Sequence, residues 1–165
     1  MPTELDHNAI IARIKAILEA DSAVFNPAGG KLRKIIAGRP VDGDTYPYAW
    51  IELESEDDKP FEATTTSGTP AFMSQTSSWH KFNYVIILAI LRNKSEKSEE
   101  QFIDLQKAIK ERLKSNVDLR NPADGTNAKV KMSHPISTRP RRGADRRGNP
   151  VVVGMITLQC EAITT

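Results

Sequence analysis

From Tyr84 to Leu91 the chain reads YVIILAIL, with no polar break. Such a run can be a strand buried on both faces, a segment of buried helix or part of a membrane span. Strand length, β-branched and aromatic content, and polar residues on either side favour a strand. A spanning helix needs about 20 apolar residues in succession. Here Lys81, Arg92 and Lys94 stand close to the run. The expectation is a mid-sheet strand with something packed on each side. One cover is the helix that follows; the other is the first helix or a neighbouring subunit.

The flanking segments carry regular periods. DHNAIIARIKAILEAD predicts a helix capped by Asp6 or Asn8, with Ile10, Ile11, Ile14, Ile17 and Leu18 on one broad face. NPAGG ends it with turn chemistry. A short strand is expected at Leu32–Ile36. YAWIELE alternates, with Ala49, Ile51 and Leu53 on one side and Trp50, Glu52 and Glu54 on the other. SEKSEEQFIDLQKAIKERLKSN predicts a second helix, with Ser98 and Gln101 as a capping-box pair. Acids stand near its start and bases near its end, as the helix dipole favours. Its stripe of Phe102, Leu105, Ile109 and Leu113, with Ile103 at the edge, belongs on a sheet. Burial of each such side chain contributes roughly 1.5–3 kcal/mol before chain entropy is charged. AKVKMSH reads as an edge strand because of its lysines. VVVGMITLQCEAITT reads as a long terminal strand facing Val152, Ile156, Leu158, Cys160 and Ala162 inward, with Gly154 in register among them.

Two segments lack a period. Residues 55–78 are rich in Ser, Thr, Gly and Pro, with an acidic start in ESEDD at 54–58. A long aperiodic stretch inside a compact domain is a binding excursion or disordered. Phe61, Phe72 and Met73 give this one something to bury on a partner. The second segment is a basic loop at 137–150. The expected fold is therefore α+β: one domain over 1–165, a mostly antiparallel sheet with two helices packed on it, an extended loop at 55–78 and an Arg-rich loop.

The 165 residues, 39% hydrophobic and 27% charged with a net charge of +2, suit a soluble globular protein made in a cytoplasm. The first twenty residues have no basic start followed by an apolar block, so no secretory signal is read. Cys160 is the sole cysteine, which excludes an internal disulfide and a multi-cysteine zinc cluster. Its inward parity makes it a core residue. His7, His80 and His134 lack metal spacing and read as surface or capping residues. NPAGGK lacks the full spacing of a phosphate loop, and no GxSxG elbow occurs. No catalytic residues, metal ligands or cofactor are assigned, and no enzyme activity is expected.

The clearest local feature is RPRRGADRRG. Arg139, Arg141, Arg142, Arg146 and Arg147 put five guanidinium groups within nine residues, beside one acid, Asp145. Guanidinium pairs with carboxylate or phosphate. Three readings stay open: a solvated loop, contact with nucleic-acid phosphates, and an interface with an acidic surface such as Asp57 and Asp58 of another copy. A reader of single-stranded nucleic acid would interleave aromatics, and this loop has none.

The order of elements also carries a resemblance. A helix at IIARIKAIL, a strand at YPYAWIELE, a long loop, the strand WHKFNYVIILAIL, the helix FIDLQKAIKERL and the closing strand VVVGMITLQCEA together resemble the tail terminator, or tail completion, proteins of long-tailed bacteriophages. The resemblance covers nearly the whole chain. It implies a virion structural protein of the neck, assembled in the host cytoplasm and located in the tail. Such proteins form a ring, typically of six subunits, at the head-proximal end of the tail tube. The ring ends tube polymerisation and offers a docking surface to the head–tail connector. Implied partners are further copies of the chain, the tail tube protein, the connector, and DNA that crosses the lumen without sequence-specific binding. No membrane is implied. Another head–tail joining protein, a stopper or an adaptor, is the alternative within the virion. A nucleic-acid-binding protein using the arginines is the alternative outside it.

Overall fold

The computed structural model describes residues 5–39, 45–60, 62–64, 70–72, 78–92 and 97–164, with side chains at 57–60, 62–64, 70–72, 78–79 and 163–164 left out. Helix α1 spans His7–Glu19. The Asp6 carboxylate caps it, accepting the Ala9 N–H at 3.0 Å. Its five apolar positions, Ile10, Ile11, Ile14, Ile17 and Leu18, are all buried. Helix α2 spans Lys97–Lys114 and buries Phe102, Leu105, Ile109 and Leu113, whereas Ile103 faces solvent. The helix begins a residue before Ser98. That serine therefore lies within the first turn, buried, instead of forming the expected cap.

The strands are β1 (Lys34–Ala37), β2 (Tyr48–Pro60), β3 (Glu62–Thr64), β4 (Pro70–Phe72), β5 (Ser78–Leu91), β6 (Val130–Ser137), β7 (Arg141–Ala144) and β8 (Pro150–Thr164). Six of them form one sheet in the order β1-β2-β5-β8-β6, and β7 also pairs with β8. Only β1 and β2 run parallel; the other pairs are antiparallel. The fold is α+β, an open, mostly antiparallel sheet with two helices. The short first strand begins two residues later than the expected Leu32–Ile36 and ends one residue later. Leu32 is instead buried in an isolated bridge to Phe25.

The apolar run is the middle of β5, with β2 on one side and β8 on the other. Both helices lie against the same face of it. Phe82, Tyr84, Ile86, Leu88 and Ile90 join α1 and α2 in a single core. Opposite them across the β8 ladder stand Cys160, Leu158, Ile156, Gly154 and Val152. Gly154 has a steric reason: a Cβ there would lie 2.4 Å from Cζ of Phe102. Glycine lets the α2 ring rest on the sheet.

Side-chain contacts fix α2 along the β6–β7 side of the sheet. Gln106 donates to the Thr138 carbonyl at 3.0 Å, and Lys110 reaches the Ser137 hydroxyl at 3.1 Å. Arg142 pairs with Glu99 at 2.5 Å. The two helices are tied by Arg112, whose Nε donates to the Ile17 carbonyl at 3.3 Å.

Both aperiodic segments contain strand. β2 and β5 run on beyond the expected strands, paired as far as Pro60 and Ser78. β3 and β4 then pair with each other. The part of the predicted loop excursion that is described is thus a two-stranded arm, and its residues 61, 65–69 and 73–77 lie outside the description. The Arg-rich segment is also strand in part: β7 pairs with the start of β8 as a hairpin. Long polar stretches hide strands because ladder hydrogen bonds come from the backbone and need no side-chain alternation.

Candidate interaction surface

Because both helices take one face of the sheet, the other has no helix over it among the described residues. Cross-strand register sets its rows. One row is Tyr48, Ala89, Val153 and Arg141; the next is Ile36, Trp50, Ile87 and Met155. Val85, Ala89 and Val151 are buried among larger neighbours, while Ile36, Tyr48, Trp50, Ile87, Val153 and Met155 are half-buried. Leu91, Met132 and Ile136, on the same parity, are exposed at 37%, 53% and 42%. Tyr46, Tyr48 and Trp50 form an aromatic ridge, with successive centroids 5.0 and 5.7 Å apart. A contiguous apolar face of this kind marks a contact site.

The Arg hairpin borders one end of that face. Asp145 organises its turn: the carboxylate accepts from the Arg147 and Asn149 amides, each at 2.9 Å, and from Asn149 Nδ2 at 3.0 Å. The Tyr46 hydroxyl donates to it at 3.0 Å. These donors, Asn149 foremost, hold the Asp145 carboxyl below the ordinary carboxylate range. Burial, and then the bond to Asp145, push the Tyr46 hydroxyl up. The acid among the arginines is thus the anchor of the turn.

All five arginines are exposed, but they divide by position. Arg139 lies in the break between β6 and β7, where the Thr138 hydroxyl and amide bond the Met155 carbonyl in place of ladder pairing. Arg141 shares the outer face with Val153, while Arg142 turns to the helix side and Glu99. Arg146 and Arg147 stand in the turn. Asp57 and Asp58 sit on β2 opposite Lys81 and His80, which pair in turn with Glu161 and Ala162 of β8. Val152, which faces Arg142, and Glu161 are nine residues apart on one strand. That is about 30 Å at strand spacing. The predicted acidic and basic partners therefore occupy opposite ends of the sheet and do not meet within one copy.

A constellation absent from the sequence reading lies on the helix side. β2 slips register between Leu53 and Ser55, a bulge that reverses parity beyond it. Glu56 is thereby brought to the face of Phe82. There His7 Nε2 lies 2.8 Å and His80 Nδ1 4.0 Å from its carboxylate oxygens. The first is a close contact without hydrogen-bond alignment. His7 Nδ1 is 2.7 Å from the Tyr84 hydroxyl. His80 is buried, contrary to the surface role expected of it, whereas His134 is exposed on β6. The cluster ties the first turn of α1 to the root of the arm. The sequence does not foreshadow it: Glu56 keeps the outward phase of Glu52 and Glu54, and only the bulge turns it to the helix side.

Cys160 is 2% exposed, and burial pushes its thiol up to about 12. It stays protonated and acts as a small core residue. Among the described residues, no group of three or more His, Cys, Asp or Glu side chains is placed to hold a metal ion. No helix among them is long and apolar enough to cross a membrane.

No protein-family model and no curated protein matches the chain. Among solved structures, it is similar to a chain of the "Virion of native gene transfer agent (GTA) particle", with 14% identity, a TM-score of 0.49 and 92% of each chain covered. Likeness at that level assigns no function to this chain.

Proposed function

We propose that this chain is a structural subunit of a phage-like virion. In this reading it forms a closed ring at the head-proximal end of the tail tube, ends tube polymerisation and presents a docking surface to the head connector. The observation that carries the assembly role is the outer face of β2, β5 and β8, apolar in the rows of Tyr48 and Trp50 and without a helix over it among the described residues. A strand apolar on both sides and covered by its own chain on one calls for a second body on the other. The order of helices and strands, which resembles that of tail terminators, supplies the place in the tail. The role needs no catalysis, and its partners are protein surfaces, with DNA passing through the lumen.

The protein's mass in solution and negative-stain images of it test this reading. The expected result is a ring with an open centre, about six copies in size, that caps purified tail tubes and stops their growth in a polymerisation assay. A monomer at high concentration that leaves tube length unchanged refutes it. Retention on DNA that falls steeply with salt and is lost on Arg139→Ala/Arg141→Ala substitution would favour the nucleic-acid reading instead.

A further inference from the structure

The β3–β4 arm and the outer sheet face are each incomplete alone. Among the described residues, β3 and β4 pair only with each other. An isolated two-stranded ribbon is marginally stable at best in water and needs a surface to lie on. A single position separates Pro60, the end of β2, from Glu62, the start of β3. The tightest common strand reversals use two residues, so the arm continues away from its own sheet. It leaves from the end where Lys81 pairs with Glu161, and the arginines border the other end.

We infer that the arm of one copy docks on the outer sheet face of the next, its acidic root against that copy's arginine hairpin. The inference rests on the assembly role proposed above and names the contact that builds it. Charge supports it: Asp57, Asp58 and Glu62 stand along the arm, and Arg139, Arg141 and Arg147 at the receiving end. The arm's described length sets its reach: Asp58 to Thr64 on the arm, and Val153 to Gln159 along the receiving strand, are each six residue steps. Both spans are about 20 Å when extended. With the arm's root at the hairpin, the arm crosses the row of Trp50, Ile87 and Met155, and its end reaches the level of Gln159, with Ala63 one position short of it. The contact joins two different surfaces, so repeating it generates a ring or a filament rather than a two-fold dimer. Such docking also explains why the outer face is apolar while its edge is guarded. Pro135 and Pro140, with the bulge between Val130 and Met132, discourage strand addition along β6, leaving the face as the site of contact.

Disulfide trapping tests the arrangement, because the native Cys160 is buried and contributes little background. Full-length Ala63→Cys protein is mixed with affinity-tagged Gln159→Cys protein, whose thiol stands on the exposed outer face at the level of the arm's end, and oxidised. A mixed disulfide is expected. None is expected when Ala63→Cys is mixed with a tagged Lys107→Cys control, whose thiol lies on the exposed face of α2. Reversing the arginines (Arg139→Glu, Arg141→Glu, Arg147→Glu) should abolish the cross-link. Adding Asp57→Lys and Asp58→Lys on the arm-bearing partner should restore it. An assembled ring without the Ala63–Gln159 disulfide, or with equal cross-linking to the control, overturns the arm placement and leaves the ring intact. A protein that remains monomeric overturns both.

Discussion

The two faces of β5 have nearly the same apolar content and opposite fates. Its even-numbered residues from Phe82 to Ile90 are at most 2% exposed, sealed by α1 and α2. Its odd-numbered residues run from polar Asn83 through Val85, Ile87 and Ala89 to Leu91, which is 37% exposed. The helix face is a finished core. The outer face is apolar in its middle rows, carries Glu52 and Thr157 beside Val85, and has no helix over it among the described residues. Apolarity records that a surface is to be covered; it does not record by what.

This contrast breaks most directly at the core. Ile86→Ala should cost about 2–5 kcal/mol, because a fully packed site collapses poorly around a deletion. Denaturant unfolding measures it, and a loss below about 1 kcal/mol would mean that the helix face is less tightly filled than its burial implies. Gly154→Ala comes next, at about 1–3 kcal/mol, because the added methyl meets the Phe102 ring. Phe102→Leu in the same chain should recover part of that loss, which separates a clash with the ring from a backbone effect.

The same strand one residue away should behave differently. Ile87→Ser should change unfolding by about 1 kcal/mol or less, yet reduce oligomer mass at a given concentration. A variant that assembles normally would show that the outer face is not the contact surface. The smallest effect expected concerns the turn bordering that face. The Asp145 carboxyl is held below its ordinary range, so its contribution is present above that range and lost as pH falls through the lowered value. Exchange of the Arg147 and Asn149 amides should therefore quicken at acid pH while β5 amides stay protected. Asp145→Asn should remove that pH dependence.

The elements differ in how plainly they could be read beforehand. Helix α1, the apolar stripe of α2, the central strand and the inward set of β8 are legible because each repeats a period over many residues. Ile14, Ile109 and Ile156 could be assigned to a core from spacing alone, and all are buried. The arm and the β7 hairpin were not legible, because their strands are short and polar and owe their pairing to backbone groups. The candidate surface was half legible. The apolar run foretold a second cover, but the placement of both helices on one face could not be read from it. The arginines were conspicuous in sequence, yet their division between Glu99, the Asp145 turn and the outer face depends on strand parity.

By itself the sequence determined the alternation of β2, β5 and β8, the amphipathic stripes of the helices, and the demand that β5 be shielded on both sides. These are local properties, set by backbone repeat and side-chain type. Only the tertiary structure decided that both helices take the same face, which leaves the other without a helix among the described residues. The same holds for the slip at Glu54 that carries Glu56 to His7 and His80, and for the separation of the acidic arm and the basic hairpin to opposite ends of the sheet. Those outcomes depend on register and on which elements pack together, and distant contacts leave no period in the chain.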